Sequence, residues 1–206
     1  APIREGSVIV EEKIDGSQFR IFCHEDKRQY GSRSVVYDEN QPIDQMFGVA
    51  VGNADSLLSN FYFDKPTHIY TEFLRSNKHN TLVYERAPTH NIIVFDIKVE
   101  DQFLPYEEKK KFSEKYGFEC VPKLWNGNGQ EFDLNKLNEL LQTDSILGKE
   151  KVEGVVIKNY EQFHTQRYLL GQPMFEKYVR EEFKERNKLE WRGQKSSKEF
   201  VQMLGE

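Results

Sequence analysis

Short runs of β-branched and aromatic residues, each bounded by turn-forming residues, recur along the chain. The first is Val8-Ile9-Val10, which leads into the polar stretch EEKIDGSQFR at residues 11–20. Runs of this length and composition are typical of strands with at least one buried face. The pattern predicts six strands, at residues 7–14, 18–23, 67–74, 91–99, 152–158 and 174–179.

Helical spacing of apolar residues predicts helices at 43–58, 106–116 and 134–141, and a final helix from Ser197 to Leu204. Gly117 is expected to cap the second helix in a left-handed conformation, and Asp133 to cap the start of the third. The glycines of WNGNGQ, which follow residue 124, predict a loop. The predicted inward-facing residues are Ile43, Met46, Phe47, Ala50 and Ala54 in the first helix, and Leu134, Leu137, Leu140 and Leu141 in the third.

The predicted strands outnumber the predicted helices and do not alternate with them regularly. This order indicates an α+β fold with largely antiparallel sheets flanked by helices, rather than a parallel α/β sheet. The sequence has no internal repeat and no low-complexity linker, so a single domain over residues 1–206 is the simpler interpretation.

The composition permits a sizeable core, since 37% of the residues are hydrophobic and 13% aromatic. No apolar stretch approaches 18 residues, so no membrane span is expected. The two cysteines, Cys23 and Cys120, are far apart and show no metal-ligand spacing, which suits the cytoplasm or another reducing intracellular compartment. The five histidines also lack the spacing of a structural zinc site.

The net charge of −5 argues against a protein covered in basic charge, but the charge is unevenly distributed. The stretch from Lys177 to Lys198 contains eight Lys or Arg residues and four Glu residues. It is either a solvated helix face or a phosphate-binding surface. In the second case its basic residues from Arg180 onwards, including Lys184, Arg186 and Lys188, would contact the phosphates.

Lys13 stands between acidic residues and a glycine, where a strand would ordinarily end in neutral turn residues. In one interpretation Asp15-Gly16-Ser17 is a hairpin turn and Lys13 points into water. In the other, Lys13 is a nucleophile at a strand end, and the glycine allows a phosphate to approach the backbone closely. A free lysine has a pKa of about 10.4, so it becomes nucleophilic only where positive charge and partial desolvation favour loss of its proton.

Five further stretches bear on this choice: GSRS at 31–34, YTEF at 70–73, FDIK at 95–98, EGVVIK at 153–158 and FEKYV at 175–179. Together with Lys13-Ile14-Asp15-Gly16 they resemble, in order, the motifs of the covalent nucleotidyltransferases. That superfamily comprises ATP-dependent DNA and RNA ligases and messenger-RNA capping enzymes.

The residues of the first motif differ between the members of the superfamily. DNA ligases and capping enzymes usually carry an arginine where this chain has Gln18. KIDGSQF is instead similar to the RNA ligase group related to the second RNA ligase of phage T4 and to the RNA-editing ligases. A DNA ligase, a capping guanylyltransferase and a nucleic-acid-binding module of the same fold without catalysis remain the alternatives.

The resemblance implies an enzyme that takes AMP from ATP onto Lys13, passes it to an RNA 5′-phosphate and joins that end to a 3′-hydroxyl. It implies Mg²⁺ or Mn²⁺ as the ion and an RNA partner, for which the basic residues from Arg180 to Lys198 are the candidate RNA-contacting surface. We expect no membrane association and a monomer. Phosphoryl transfer favours hard cations with oxygen ligands.

The resemblance also implies residue roles. Lys158 and Lys177 would hold the α-phosphate and stabilise charge during the displacement. Asp96 and Glu153 would bind the metal. The nucleotide site would be formed by Glu12 at the adenine amino group, Ile14 and Gly16 in the motif of Lys13, Arg33 at phosphate, Glu72 at the ribose, Phe95 stacked on the adenine, and Glu153.

The chain departs from the family pattern at three points. The last motif usually contains a second lysine where this chain has Val179, so either Arg180 substitutes for it from the neighbouring position or one phosphate contact is missing. Glu153 and Lys158 would face opposite sides of a regular strand, so both reach one pocket only if the strand is interrupted, most simply at Gly154. No second, RNA-gripping domain is visible, so the expectation is an excised N-terminal domain or an unusually small ligase.

Overall fold

The structure, a computed structural model, describes residues 2–163 and 173–190. In this part of the chain ten strands form two sheets, and four α-helices flank them. The strands are β1 (Ser7–Lys13), β2 (Ser17–Glu25), β3 (Lys27–Ser32), β4 (Phe63–Phe73), β5 (Ile92–Val99), β6 (Gln102–Phe103), β7 (Glu119–Cys120), β8 (Lys123–Asn128), β9 (Gly154–Phe163) and β10 (Pro173–Val179).

The four-stranded sheet has the order β10-β9-β1-β8 and is antiparallel throughout. The six-stranded sheet has the order β3-β2-β4-β5-β6, also antiparallel, and β7 pairs with β5 in parallel. The helices are α1 (Gly48–Leu58), α2 (Tyr106–Lys115), α3 (Leu134–Leu140) and α4 (181–190). The expected α+β fold with largely antiparallel sheets is therefore confirmed.

Each sheet buries one face against helices. Alternate residues of the six-stranded sheet, such as Phe19, Ile69 and Phe73, pack with Ala50 and Ala54 of α1. This alternation is the two-residue period of a strand, which places every second side chain on the same face. The residues that alternate with them along the strands face the other side of this sheet, towards the space between the two sheets.

The four-stranded sheet packs Val10, Val155 and Ile157 against Leu137 and Leu140 of α3. Asp133 caps this helix as predicted, because its side chain accepts a hydrogen bond from the backbone N–H of residue 136. A third apolar cluster, which includes Ile14, Leu82, Leu147 and Phe183, fills the junction where the sheets meet loops and α4.

All six predicted strands are present, with shifts of a few residues at their ends. The loop prediction for WNGNGQ was wrong in its first half, since β8 continues through Gly127 and pairs with β1. The fold tolerates the glycine there because Trp125 covers that position, with ring atoms 3.0 Å from where a Cβ would lie. A 3₁₀ turn, Gly129–Glu131, follows.

Three of the predicted helices are present, and the fourth, Ser197 to Leu204, lies outside the described residues. Gly117 has φ +82°, as expected for a left-handed cap after α2. The first helix begins only at Gly48, and the preceding Ile43 and Met46 are exposed, as is Leu134 at the start of α3. Those three inward-facing predictions were wrong because each residue lies before or at the first helical turn. No described helix has both the length and the apolarity needed to cross a membrane.

Gly154 begins β9 where the backbone of β10 comes very close. A Cβ built on this glycine would collide with the Tyr178 carbonyl oxygen and lie 2.9 Å from the Val179 Cα. We expect Gly154→Ala to lower the free energy of unfolding by about 1–3 kcal/mol, because backbone must move to admit the methyl group. Chemical denaturation would measure this change.

Gly52, in the middle of α1, is the matched control, because a Cβ there meets nothing within 4 Å. Gly52→Ala should instead raise the free energy of unfolding by about 0.5–1 kcal/mol through helix propensity. Equal effects of the two substitutions would contradict the close approach of β9 and β10.

Candidate active site

A cleft of about 820 Å³ opens between the sheets at the end of β1. Its lining combines four cations from separate parts of the chain with carboxylates: Arg33, Arg75, Lys78, Lys177, Glu72 and Glu153 surround Lys13. A cavity of this size holds a nucleotide-sized molecule. The charges indicate a phosphate-bearing ligand, since apolar lining is a minor part of the wall.

Lys13 is the last residue of β1 and pairs with Gly154 of β9. Its side chain is 25% exposed, and its Nζ donates to Glu153 Oε1 at 2.6 Å. The hairpin interpretation is wrong, because β1 and β2 belong to different sheets and Lys13 points into the cleft. The chain crosses from one sheet to the other at Ile14–Gly16, which brings both sheets to the cleft.

Glu153 reaches Lys13 because it stands immediately outside β9. The strand begins at Gly154, so the regular alternation that would turn Glu153 away from Lys158 does not apply. Arg180 fixes the backbone on either side. Its Nε donates to the Val152 carbonyl at 2.6 Å, and its backbone N–H donates to the Glu153 carbonyl at 2.9 Å.

Arg180 therefore does not replace the missing second lysine of the last motif, since its guanidinium is turned to the backbone. Val179, at the position of that lysine, packs against the apolar cluster that includes Ile14 and Phe183. The cleft instead receives cations that the sequence interpretation missed, Arg75 and Lys78.

Asp15 explains how those two cations are positioned. Its buried Oδ2 accepts from the backbone N–H groups of Thr81 and Leu82, both at 2.8 Å, and its Oδ1 accepts from Asn80 Nδ2 at 3.3 Å. The carboxylate satisfies donors that the loop would otherwise bury without partners. It thereby binds the loop 75–82 to the turn that follows Lys13.

The same loop contributes His79, whose Nδ1 accepts from the Arg75 N–H at 3.1 Å. The Nε2 is then the protonated nitrogen and donates to Ser17 Oγ at 2.8 Å. Burial and the nearby Arg75 lower the pKa of His79, which keeps the ring neutral. Sequence spacing gave no signal for this contact, because 62 residues separate the two side chains.

α4 forms the outer wall of the cleft and is attached to this loop. Thr81 Oγ1 donates to Asn187 Oδ1 at 3.2 Å, and Lys78 Nζ lies 3.8 Å from a Glu190 oxygen. Arg186 lies 3.3 Å from Glu150 Oε2. Within the described residues, part of the predicted RNA-contacting run is therefore used in contacts with the rest of the protein.

Of the remaining basic residues in that run, Lys184 pairs with Glu181 at 2.9 Å and Lys188 is exposed. Arg180 is buried, as described above. The residues beyond 190 lie outside the described part of the chain. The structure therefore narrows the candidate RNA-contacting residues described on this helix to Lys184 and Lys188.

The carboxylates of the cleft have altered acidity. Burial raises the pKa of Glu72 to about 8, although Lys13 opposes this. Burial likewise raises the pKa of Glu153 to about 7 against the opposing charge of Lys13. Burial and the charge of Lys13 both lower the pKa of Lys177. Groups with altered acidity gathered in one cleft are typical of catalytic sites.

Glu12 is turned away from this cleft. Its carboxylate lies on the other side of β1, where Oε2 accepts from the Ile146 N–H at 3.0 Å. Burial raises its pKa to about 7. Oε1 is buried with no hydrogen-bond partner among the described residues. The strand period accounts for this, since adjacent residues of β1 face opposite sides.

Phe95 lies on a β-bulge. Tyr70 pairs with Asp96 and Thr71 pairs with Val94, so no residue of β4 stands opposite Phe95. The extra residue lets both Phe95 and Asp96 face the space between the sheets, which a regular strand forbids. The Phe95 ring packs at the edge of the apolar cluster that contains Ile14.

Lys158 and Asp96 lie behind the cleft in a buried cluster of charges, and neither lines its wall. Lys158 Nζ is 3.0 Å from Glu11 Oε1 and 3.6 Å from Asp96 Oδ2. Lys109 of α2 is 2.7 Å from the same Glu11 oxygen. Burial alone would lower the pKa of Lys158, but Asp96 and Glu11 outweigh it and raise it.

This placement differs from the expectation that Lys158 shares one pocket with Glu153 and that Asp96 and Glu153 share a metal. Glu153 pairs with Lys13, whereas Asp96 pairs with Lys158. Among the described residues no group of three or more His, Cys, Asp or Glu side chains is arranged to hold a metal. Glu153 Oε2 is buried and without a hydrogen-bond partner there, which leaves one oxygen free beside Lys13.

Solved RNA ligases share this two-sheet fold, in which Lys13 of the present chain ends β1 at the cleft between the sheets. A model of the RNA ligase family matches residues 6–175. The chain belongs to the RNA ligase family. A search of curated proteins finds no matching sequence.

Solved structures with the same fold include RNA ligases of Naegleria gruberi. A mutant solved with ATP and Mn superposes with a TM-score of 0.65 at 17% identity, covering 89% of this chain and 52% of that one. The same ligase with PPi gives 0.65 at 16% identity, with 90% and 53% covered. This chain thus spans about half the length of those proteins.

The raised pKa of Glu72 predicts a pH-dependent stability. A carboxyl whose pKa is higher folded than unfolded adds stability at low pH, and this is lost as pH rises through the folded value, here about 8. We expect the melting temperature to fall between pH 5 and pH 8.5. Glu72→Gln, which does not ionise, should fall less steeply over this range in thermal denaturation.

The control is Glu108→Gln, an exposed carboxylate on α2. The melting temperature of this variant should change with pH in the same way as that of the wild type. A Glu72→Gln profile that also runs parallel would show that Glu72 ionises normally in the folded protein.

Proposed function

We propose that the chain is an ATP-dependent RNA ligase, or the adenylylating part of one. Lys13 takes AMP from ATP with loss of pyrophosphate, forming a phosphoramidate. The adenylate passes to an RNA 5′-phosphate, and a 3′-hydroxyl attacks that activated phosphate, releases AMP and forms the phosphodiester. Membership of the RNA ligase family supports the substrate class.

The observation that carries the proposal is the Lys13–Glu153 contact of 2.6 Å inside a nucleotide-sized cleft. An ammonium must lose its proton before its nitrogen can attack phosphorus. A carboxylate with a pKa near 7 is suited to accept a proton at neutral pH, and Glu153 lies within hydrogen-bond distance of the nitrogen. The cationic surroundings favour the neutral amine.

The cations of the cleft would bind the phosphates of ATP. Arg33 and Lys177 line its wall, and Arg75 and Lys78 come from the loop held by Asp15. Charge developing on the oxygens in an in-line displacement is stabilised by such fixed positive groups. Lys158 would act from behind the cleft, since its ammonium is already bound by carboxylates.

The nucleoside would lie against Ile14 and Gly16, with Glu72 at the ribose and the Phe95 ring at the adenine. Gly16 cannot carry a side chain here, because a Cβ would lie 2.7 Å from Leu74 Cδ1 and 2.8 Å from the Phe73 carbonyl oxygen, and 3.1 Å from Glu72 Oε2. Glu12 is the proposed contact of the adenine amino group. Its carboxylate would reach a base only after releasing the Ile146 N–H.

Mg²⁺ or Mn²⁺ fits this site through Glu153, whose Oε2 is buried and without a partner among the described residues. Mg²⁺ typically uses one or two carboxylates and completes its shell with phosphate oxygens and water. When bound, the ion would neutralise phosphate charge. Asp96 would contribute only from a distance, because Lys158 occupies its Oδ2 side.

Self-adenylylation tests the proposal directly. Incubated with ATP and Mg²⁺, the protein should gain the mass of one adenylate group in intact-protein mass spectrometry, and peptide mapping should place it on Lys13. Lys13→Met should gain nothing, because no amine remains to attack. The control Lys188→Met, an exposed residue of α4, should be labelled like the wild type.

The adenylylated protein is then given nicked and free-ended RNA and DNA. The substrate that it seals distinguishes an RNA ligase from a DNA ligase. Sealing of RNA ends supports the proposal. ATP binding with no adduct would indicate a binding module without catalysis, the alternative suggested by Val179 in place of the second lysine. Preferential labelling by GTP would indicate a capping enzyme.

A further inference from the structure

Lys109 of α2 is buried to 0% exposure although it carries a charge. All three of its ammonium donors are used: Nζ donates to Glu11 Oε1 at 2.7 Å, to Glu11 Oε2 at 2.9 Å and to the Phe95 carbonyl at 2.9 Å. Burying a charge is costly even when it is paired. No motif of the sequence includes this lysine, so its burial is unexplained by the active-site chemistry described above.

The two acceptors of Lys109 belong to different sheets. Glu11 is on β1, two residues before Lys13 and on the same side of the strand, while Phe95 is on β5. Lys109 thus connects the strand that carries the nucleophile to the bulge that carries the aromatic ring. The contact lies at the back of the cleft, where the two sheets converge.

The bulge makes this contact specific. Phe95 has no residue of β4 opposite it, and its carbonyl oxygen accepts from both Lys109 and Lys158. Bulges re-aim a side chain at the cost of regular pairing. Two ammonium groups on one carbonyl, both also bound to Glu11, hold the backbone of this unpaired residue.

We propose that Lys109 is a positioning residue for nucleotide binding: it holds the Phe95 bulge, and hence the Phe95 ring, at the adenine position relative to β1. The inference rests on the proposed nucleotide site. Lys109 contacts no substrate itself. It acts through Phe95, so removing the ring should make Lys109 irrelevant to nucleotide affinity.

A double-mutant cycle tests this in the full chain. The dissociation constant of α,β-methylene-ATP, which cannot give AMP to Lys13, is measured by calorimetry for wild type, Lys109→Met, Phe95→Ala and the double variant. Lys109→Met should weaken binding on the order of tenfold, as expected for a lost charge-assisted hydrogen bond. The double variant should bind no more weakly than Phe95→Ala alone.

Lys110→Met is the matched control, because Lys110 is the exposed neighbour on the same helix. It should bind the analogue like the wild type. If Lys109→Met does not fold, Glu11→Gln combined with Lys109→Met removes one charge of each sign and leaves Lys158 with Asp96. Thermal denaturation and near-ultraviolet circular dichroism establish that each variant is folded.

Unchanged affinity in the folded Lys109 variant, or effects of the two substitutions that multiply, would overturn the inference and leave Lys109 a general packing residue. Failure of the proposed function is distinguishable. A wild type that binds the analogue but forms no adduct with ATP refutes the ligase while the cycle still reports on Lys109. A wild type that does not bind the analogue refutes both.

Discussion

The contact between the Lys13 ammonium and the Glu153 carboxylate is the interaction on which the site depends. It requires three independent features of the fold: β1 must end at Lys13, β9 must begin one residue after Glu153, and Arg180 must hold the backbone on both sides of that carboxylate. Each is a backbone constraint rather than a preference of the two side chains. A shift of one residue in the pairing of β1 with β9 would turn Lys13 to the opposite face of the sheet.

Charge between the sheets is divided into two groups with different solvent access. Around Lys13, the groups line an open cleft, and burial of the carboxylates raises the pKa of Glu72 and Glu153 towards neutrality, which suits proton transfer. Behind them, Glu11, Asp96, Lys109 and Lys158 are buried and compensate one another with two charges of each sign. Such a cluster adds little net stability, but it leaves no unpaired charge and fixes the geometry between β1, β5, β9 and α2.

The sequence predicted the fold class, all six strands it proposed and three of the helices, because these follow from the strand and helix periods. It also singled out Lys13 and Glu153. It did not predict that Lys158 and Asp96 lie behind the cleft, since the bulge at Phe95 is a property of strand register and not of local pattern. Arg75, Lys78, His79 and the role of Asp15 were missed for a similar reason: hydrogen bonds between residues more than 60 positions apart leave no periodic signal.

The attachment of α4 to the loop 75–82 has a consequence for synthesis on the ribosome. Lys13 is made before its hydrogen-bond partner Glu153, which lies 140 residues further along the chain, and before the helix α4 that walls the cleft. Contacts so distant in sequence form late in folding. Until residues 153–190 have been made, a nascent chain therefore carries Lys13 without its carboxylate partner and without the outer wall of the cleft.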